Sequence, residues 1–286
     1  DWYINQMKKQ SYASEPLPIS WQPEDYVQGT RDAAYIFPLT EKSIDLKTAL
    51  DFVRSNDPKF KKIPGISQAL DYIPAQTITY AVDSAVVVAE GALDPAYLPY
   101  MQPEMTIDLK GKDVLGKQEL IILDMLQTNN WKRPIYYAIT VSPDQFVKLD
   151  PYFQQTGMAY QIVPMATQGT VRAINTERMY DNVMHKFKWG GVNTPGVYLD
   201  DNVMRMCKSY RMVVFGKLAT TLIYEKKNDK ALQVLDKCME VLPPENVPLD
   251  YSGLTIGESY YLLGEKEKGH NVLKAIGDNS LRNLNW

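Results

Sequence analysis

Histidine and cysteine are scarce: two of each in 286 residues. Neither His185 nor His270 has a second His or Cys at i+3 or i+4, so no zinc site and no local Cys–His or Ser–His pair is expected. Cys207 and Cys238 fall on apolar positions of predicted helices and are expected as buried free thiols. A disulfide between neighbouring helices stays open, so cysteine usage does not fix the compartment. No GxGxxG or phosphate-loop pattern occurs, and Lys110-Gly111-Lys112, without the preceding glycine spacing, reads as a turn. No basic stripe stands out against a net charge of −3 and a pI near 5.6, which argues against nucleic acid as a partner. The longest run of purely aliphatic residues, Ala85 to Ala89, is far short of the roughly 20 residues of a membrane span, so this chain is expected to be soluble. Initiator methionine and signal peptide are also missing, and a start at Asp1-Trp2-Tyr3 reads as a piece of a longer polypeptide.

What the sequence does contain is a degenerate helical repeat in its last third. Leu218, Ala219, Leu222, Ala231, Leu235 and Cys238 form one unit, which Pro243 closes. Ile256, Gly257, Tyr260, Gly269, Leu273 and Ile276 repeat the same offsets. This is the spacing of a tetratricopeptide-type hairpin, in which small residues let two helices approach closely. Such a module presents a surface to a partner, so a protein partner is expected there. Two units are fewer than an autonomous solenoid needs, so the long helix predicted from Asp201 to Lys226 and the α/β layer are expected to cover the exposed end.

The first two-thirds read differently. After a short helix near Trp2 to Lys9, the prolines at 16, 18 and 23 impose irregular chain. Strands are predicted at Ala33–Leu39, Gln76–Val82, Met105–Leu109, Pro134–Val141 and Met158–Val163. Helices are predicted at Ser43–Arg54, with Ser43 as N-cap, at Gly116–Gln127, at Pro143–Tyr152 and at Thr176–Phe187. Pro58 to Gly65 reads as a solvated, Lys-rich loop. The strand–helix–strand order predicts an α/β fold, a mixed sheet with flanking helices, over residues 1–175. An all-α, tetratricopeptide-like region follows over 176–286.

Few residues suggest chemistry. Asp200 and Asp201 precede a helix and read as caps. Asp108, Asp113, Glu119 and Asp124 surround one strand–helix unit, where ligands of open α/β layers often bind. Lys132 and Arg133 stand where a helix ends and a strand begins, placed for an anion or for the helix dipole. Trp131 beside them and Trp189 beside two glycines are candidate glycan contacts, with a domain-junction anchor as the alternative for Trp189. No catalytic, cofactor-binding or metal-ligating residue is assigned.

Two stretches carry a family likeness: Asp1-Trp2-Tyr3-Ile4-Asn5-Gln6-Met7-Lys8 and Asn129-Asn130-Trp131-Lys132-Arg133-Pro134-Ile135-Tyr136-Tyr137-Ala138. With Gly157-Met158-Ala159-Tyr160-Gln161-Ile162-Val163-Pro164 and the terminal repeat, they resemble the C-terminal soluble part of the domain-of-unknown-function 2723 family. These are Bacteroidota-type polytopic membrane proteins similar to protein O-mannosyltransferases. The resemblance implies a parent of the lipid-linked-sugar glycosyltransferase type, with its catalytic acid in membrane-proximal loops outside this chain. It implies a periplasmic location, tethered to the inner membrane through an N-terminal membrane part, and a non-catalytic accessory role. Asp83-Ser84-Ala85 also resembles the short O-glycosylation acceptor motif of such bacteria, which makes Ser84 a candidate acceptor. The other reading, from Tyr and Trp richness and the acids near the central strand–helix unit, is a glycan-binding or glycan-processing domain. A cleft with two converging carboxylates and an aromatic floor would favour it.

Overall fold

The computed structural model describes residues 2–284; Asp1, the first residue of the family-like stretch, lies outside them. The chain divides into two compact units, Asp1–Phe153 with Gln161–Gln168, and Gln154–Tyr160 with Gly169–Trp286.

The first unit is α/β. Its elements are α1 (Trp2–Met7), α2 (Pro23–Tyr26), β1 (Ala33–Thr40), β2 (Ile44–Asp45), α3 (Leu46–Arg54), β3 (Tyr72–Ala75), β4 (Thr77–Ala81), α4 (Ser84–Ala89), β5 (Glu104–Asp108), β6 (Val114–Gly116), α5 (Lys117–Asn129) and β7 (Tyr136–Ala138). Two three-stranded sheets form, in the orders β3-β1-β6 and β2-β4-β5. Each joins one parallel and one antiparallel pair, so the expected mixed pairing is present. The clearest alternation is in β4 and β5. Ile78 faces Ile107 and Tyr80 faces Met105 across the ladder, all four buried, while the residues between them point the other way. The β1–β3 register shifts between Ile36 and Thr40. Pro38 lies in that interval and has no N–H to give a ladder.

Helix α3 lies between the parallel strands β1 and β3 in the chain and packs on α5. Leu46, Ala49, Leu50 and Val53 are its buried face, as its spacing predicts. Its start differs from expectation. Ile44 is drawn into a parallel pairing with Ile78, so Ser43 is not the cap; Asp45 takes that role, accepting from the Thr48 amide. The C-terminus of α3 is closed by a buried arginine. Arg31, 4% exposed, donates to the carbonyls of Val53 and Arg54 and to Asn56 Oδ1, satisfying groups that a helix end leaves open.

Two predicted elements shrink. The strand expected over Pro134–Val141 is only β7, because Pro134 lacks a donor and the Val141 amide turns back to the Ala138 carbonyl. The helix expected over Pro143–Tyr152 is two 3₁₀ turns, Pro143–Gln145 and Asp150–Tyr152, separated by Val147 and Lys148 at φ of 55° and 57°. Left-handed residues end a helix, and here the bend sinks Val147 fully into the core. Beyond it, β8 (Phe153–Gln155) and β9 (Ala159–Ile162) are the segments within which the chain passes between its two units.

The second unit is helical: α6 (Thr176–Asp181), α7 (Asp201–Tyr210), α8 (Lys217–Tyr224), α9 (Asn228–Val241), α10 (Leu254–Leu262) and α11 (Lys266–Leu284). The long helix expected from Asp201 is present, but with a π-helical stretch, Arg211–Gly216, joining α7 to α8; a second, Asn182–Lys186, extends α6. Widened turns free backbone groups. The Val213 carbonyl accepts from Gln155 Nε2 at 2.9 Å, and Asn182 Nδ2 reaches the Thr156 carbonyl at 2.7 Å. Both contacts bind the buried polar segment Gln154–Thr156 to the helices.

Helices α8–α9 and α10–α11 are the two hairpins of the sequence repeat. In the second, a Cβ on Gly269 would stand 3.1 Å from the Gly257 carbonyl oxygen, so these small residues are where the backbones meet. Both hairpin turns carry the same pair of bonds: Lys227 N to Leu222 O with Lys226 N to Ile223 O, and Glu265 N to Tyr260 O with Gly264 N to Tyr261 O. This is the Schellman motif, and its left-handed residue is Lys226 (φ 60°) in one turn and Gly264 (φ 84°) in the other. Arg211, fully buried, donates to the carbonyls of Leu242, Val247 and Pro248 at 2.9, 2.7 and 3.2 Å, closing the end of α9 as Arg31 closes α3.

Candidate functional site

The second hairpin and its neighbour α9 enclose a cleft of about 320 Å³. Met239 from α9, Pro244 and Leu249 from the connecting segment, and Val272 and Ala275 from α11 give it an apolar floor. One end is polar. The Tyr260 hydroxyl donates to Asp236 Oδ1 at 2.8 Å, and Lys268 Nζ reaches both carboxylate oxygens at 2.7 and 2.9 Å. Lys268 also lies 5.6 Å from the centroid of the Tyr260 ring. Burial, then the bond to Asp236, raises the Tyr260 phenol well above its ordinary value, so it donates and does not ionise. Helical spacing brings the trio together: Asp236 stands one turn before the Val241 end of α9, and Lys268 lies in the first turn of α11. The cleft holds one carboxylate, already engaged by two donors. It can bury an apolar group and offer hydrogen bonds from Asn271 and Lys268.

The first unit has two adjoining clefts beside α5, of about 400 and 230 Å³, which share Leu17 and Met125. Neither is lined by a carboxylate. Of the six acids flagged in the sequence, Asp108, Glu119, Asp124 and Asp200 are engaged in structural hydrogen bonds. Asp200 accepts from the amides of Asn202 and Val203 at the start of α7. Asp108 accepts from the Lys110 amide at the turn. Glu119 accepts from the Gly116 amide and pairs with Lys112 at 2.6 Å. Asp124, 2% exposed, accepts from the Ser20 amide and hydroxyl and the Trp21 amide. Burial raises its carboxyl above the usual range against the pull of those donors.

The Asn129–Pro134 stretch is a helix stop built around a tryptophan. Asn130 and Trp131 both have positive φ, and the Asn129 side chain clamps the backbone N–H and C=O of Arg133. This turns Trp131 inward to 4% exposure, stacked on Tyr80 at 5.9 Å. Arg133 Nη1 donates to the carbonyls of Glu15 and Pro16, pinning the Pro-rich segment, while Lys132 is exposed. In the second unit, Trp189 is half-buried against Phe215, ring centroids 5.1 Å apart, with Phe187 and Tyr210 at its edges. Ser84 is exposed at the first position of α4, behind the Asp83 cap. Both histidines are exposed, and both cysteines are free and buried. Among the described residues no group of three His, Cys, Asp or Glu side chains could hold a metal ion, and no helix is long and apolar enough to cross a membrane.

Sequence reasoning missed the Asp236–Tyr260–Lys268 cluster. Its one signal is that Tyr260 stands where the first repeat unit has Leu222, a hydroxyl in a position otherwise apolar.

Comparison with known proteins gives one relationship. The family model described as TMEM260-associated domain 2 matches residues 1–182, which holds the whole α/β unit and the start of the helical one. No curated protein and no solved structure matches the chain.

Proposed function

The chain belongs to the TMEM260-associated domain 2 family, and from that premise we propose that it is a non-catalytic accessory module of a membrane protein that engages a polypeptide through its helical hairpins. The observation that carries this reading is the α9–α10–α11 cleft, with its apolar floor and a polar end that offers hydrogen bonds. About 320 Å³ accommodates a large apolar side chain with its flanking backbone. The module's place in the parent follows the resemblance to the domain-of-unknown-function 2723 family: an extracytoplasmic part of a glycosyltransferase-like protein, periplasmic and tethered to the inner membrane. Three of the four carboxylates near the central strand–helix unit support a non-catalytic role, since Asp108, Glu119 and Asp124 are held by structural hydrogen bonds.

The test is comparative co-purification from cells carrying the intact protein. Met239→Arg places a long cation across the cleft floor, and Lys217→Glu changes an exposed residue outside it. A defined protein that is recovered with wild type and Lys217→Glu but lost with Met239→Arg supports the reading. The same proteins recovered with all three would overturn it. Sugar transfer or hydrolysis by the isolated chain would overturn its non-catalytic part.

A further inference from the structure

A second surface, in the α/β unit and independent of the hairpin cleft, has a different chemistry. Trp2, Tyr3 and Met7 of α1 are 65%, 75% and 39% exposed. Ile4, between them, is buried, so the helix docks by one residue and offers its aromatic side outward. Trp2 and Tyr3 pack edge to face at 5.0 Å. Beside them the 400 Å³ cleft between α1 and α5 is lined by Met7, Leu17, Ile121, Ile122 and Met125, and it runs on past Leu17 and Met125 to Pro134 and Tyr136. The result is a continuous apolar strip, larger than isolated exposed hydrophobes explain.

Cations predominate around this strip: Lys117, which lines it, is paired with Asp32, and three more basic side chains border it. Lys9 is exposed and Lys8 directs its ammonium to the Trp21 carbonyl and the Tyr26 ring. Arg133, which lines the strip, gives its guanidinium to two carbonyls. No carboxylate pairs with any of these three among the described residues. The nearby acid, Glu15, takes the Gln10 amide. An apolar groove with Trp and Tyr at its edge, bordered by Lys8, Lys9 and Arg133, none of them paired with a carboxylate, matches the layers of an anionic bilayer surface: acyl chains, the interfacial zone that Trp and Tyr prefer, and phosphate headgroups. The strip also lies wholly within residues 1–182, the part that matches a domain family associated with a membrane protein. We propose that this face, α1 with the exposed side of α5, rests on an anionic phospholipid membrane, with Trp2 and Tyr3 in the interfacial zone.

The experiment is flotation of the full chain with vesicles of phosphatidylcholine alone or with one-third phosphatidylglycerol. Binding is expected only with the anionic vesicles and weakens as salt rises. Trp2→Ser with Tyr3→Ser should weaken it by about tenfold, and Lys9→Gln with Arg133→Gln should remove its preference for anionic lipid. All four side chains are on or near the surface, and circular dichroism confirms that each variant is folded. In a second readout, brominated lipid quenches part of the tryptophan emission of wild type, and Trp2→Phe loses that quenching while still floating. Absence of vesicle binding, as expected if a protein covers the strip, would overturn the proposal. So would equal binding to neutral vesicles, or undiminished binding of the Trp2→Ser, Tyr3→Ser variant.

Discussion

Replacing Gly269 by alanine sets two effects of opposite sign against each other. Residue 269 lies inside α11, where alanine is favoured over glycine by about 1 kcal/mol. The new Cβ would stand 2.7 Å from Tyr261 Cδ2 and 3.1 Å from the Gly257 carbonyl oxygen. The tyrosine is 40% exposed and its ring can swing outward, but the carbonyl belongs to the α10 backbone and moves only if the two helices separate. Separation loosens the packing of Gly257, whose own Cβ position lies 2.7 Å from Leu273 Cδ2. Overpacking of this kind costs about 1–3 kcal/mol, so Gly269→Ala is expected to destabilise the helical unit by up to about 2 kcal/mol net. Gly277 is the control. It lies on the same helix with nothing within 4 Å of its Cβ position, and Gly277→Ala is expected to stabilise by about 0.5–1 kcal/mol. Urea unfolding followed by far-ultraviolet circular dichroism measures both. If the two variants shift stability in the same direction by the same amount, the close approach of α10 and α11 is not what constrains residue 269.

Three further outcomes follow from the same geometry. Lys226→Gly relieves the left-handed residue of the first hairpin turn and is expected to stabilise by a few tenths to about 1 kcal/mol in chemical denaturation, after the greater chain entropy of glycine is subtracted. Arg211→Met leaves three carbonyls at the end of α9 without their donor and is expected to cost about 3–5 kcal/mol, seen as a lower thermal midpoint of the helical unit. Burial pushes the Cys238 thiol from its ordinary 9.0 up to about 12, so its contribution to stability is whole below pH 9. That contribution falls by about 1.4 kcal/mol per unit as pH rises toward 12; Cys238→Ala should flatten the alkaline loss, and native Cys238 should resist alkylation at pH 8.

How far the sequence revealed this fold depends on whether a residue acts locally. The repeat was legible because small residues at Gly257 and Gly269 mark contact between neighbours in the chain. The amphipathic spacing of α3 and the alternation in β4 and β5 were legible for the same reason. The cap of α3 was not, because Ile44 pairs with Ile78 from another element, and that pairing moves the helix start to Leu46. Pro134–Val141 showed the opposite failure: strong strand propensity in Ile135, Tyr136 and Tyr137 exceeded the pairing available to it. Nothing local announces that Arg211, amid Met212, Val213 and Val214, will be buried to close a helix more than thirty residues later. The hairpin cleft was hidden similarly, since Asp236, Tyr260 and Lys268 come from three helices.

Whether the hairpin cleft takes a polypeptide is read out by a photo-reactive side chain at Asn271, on the cleft wall, in the intact protein in cells. A discrete protein adduct is expected at Asn271, absent from the same probe at Lys217 and abolished by Met239→Arg. An Asn271 probe that yields no adduct, or one that persists when Met239→Arg blocks the cleft, would contradict it.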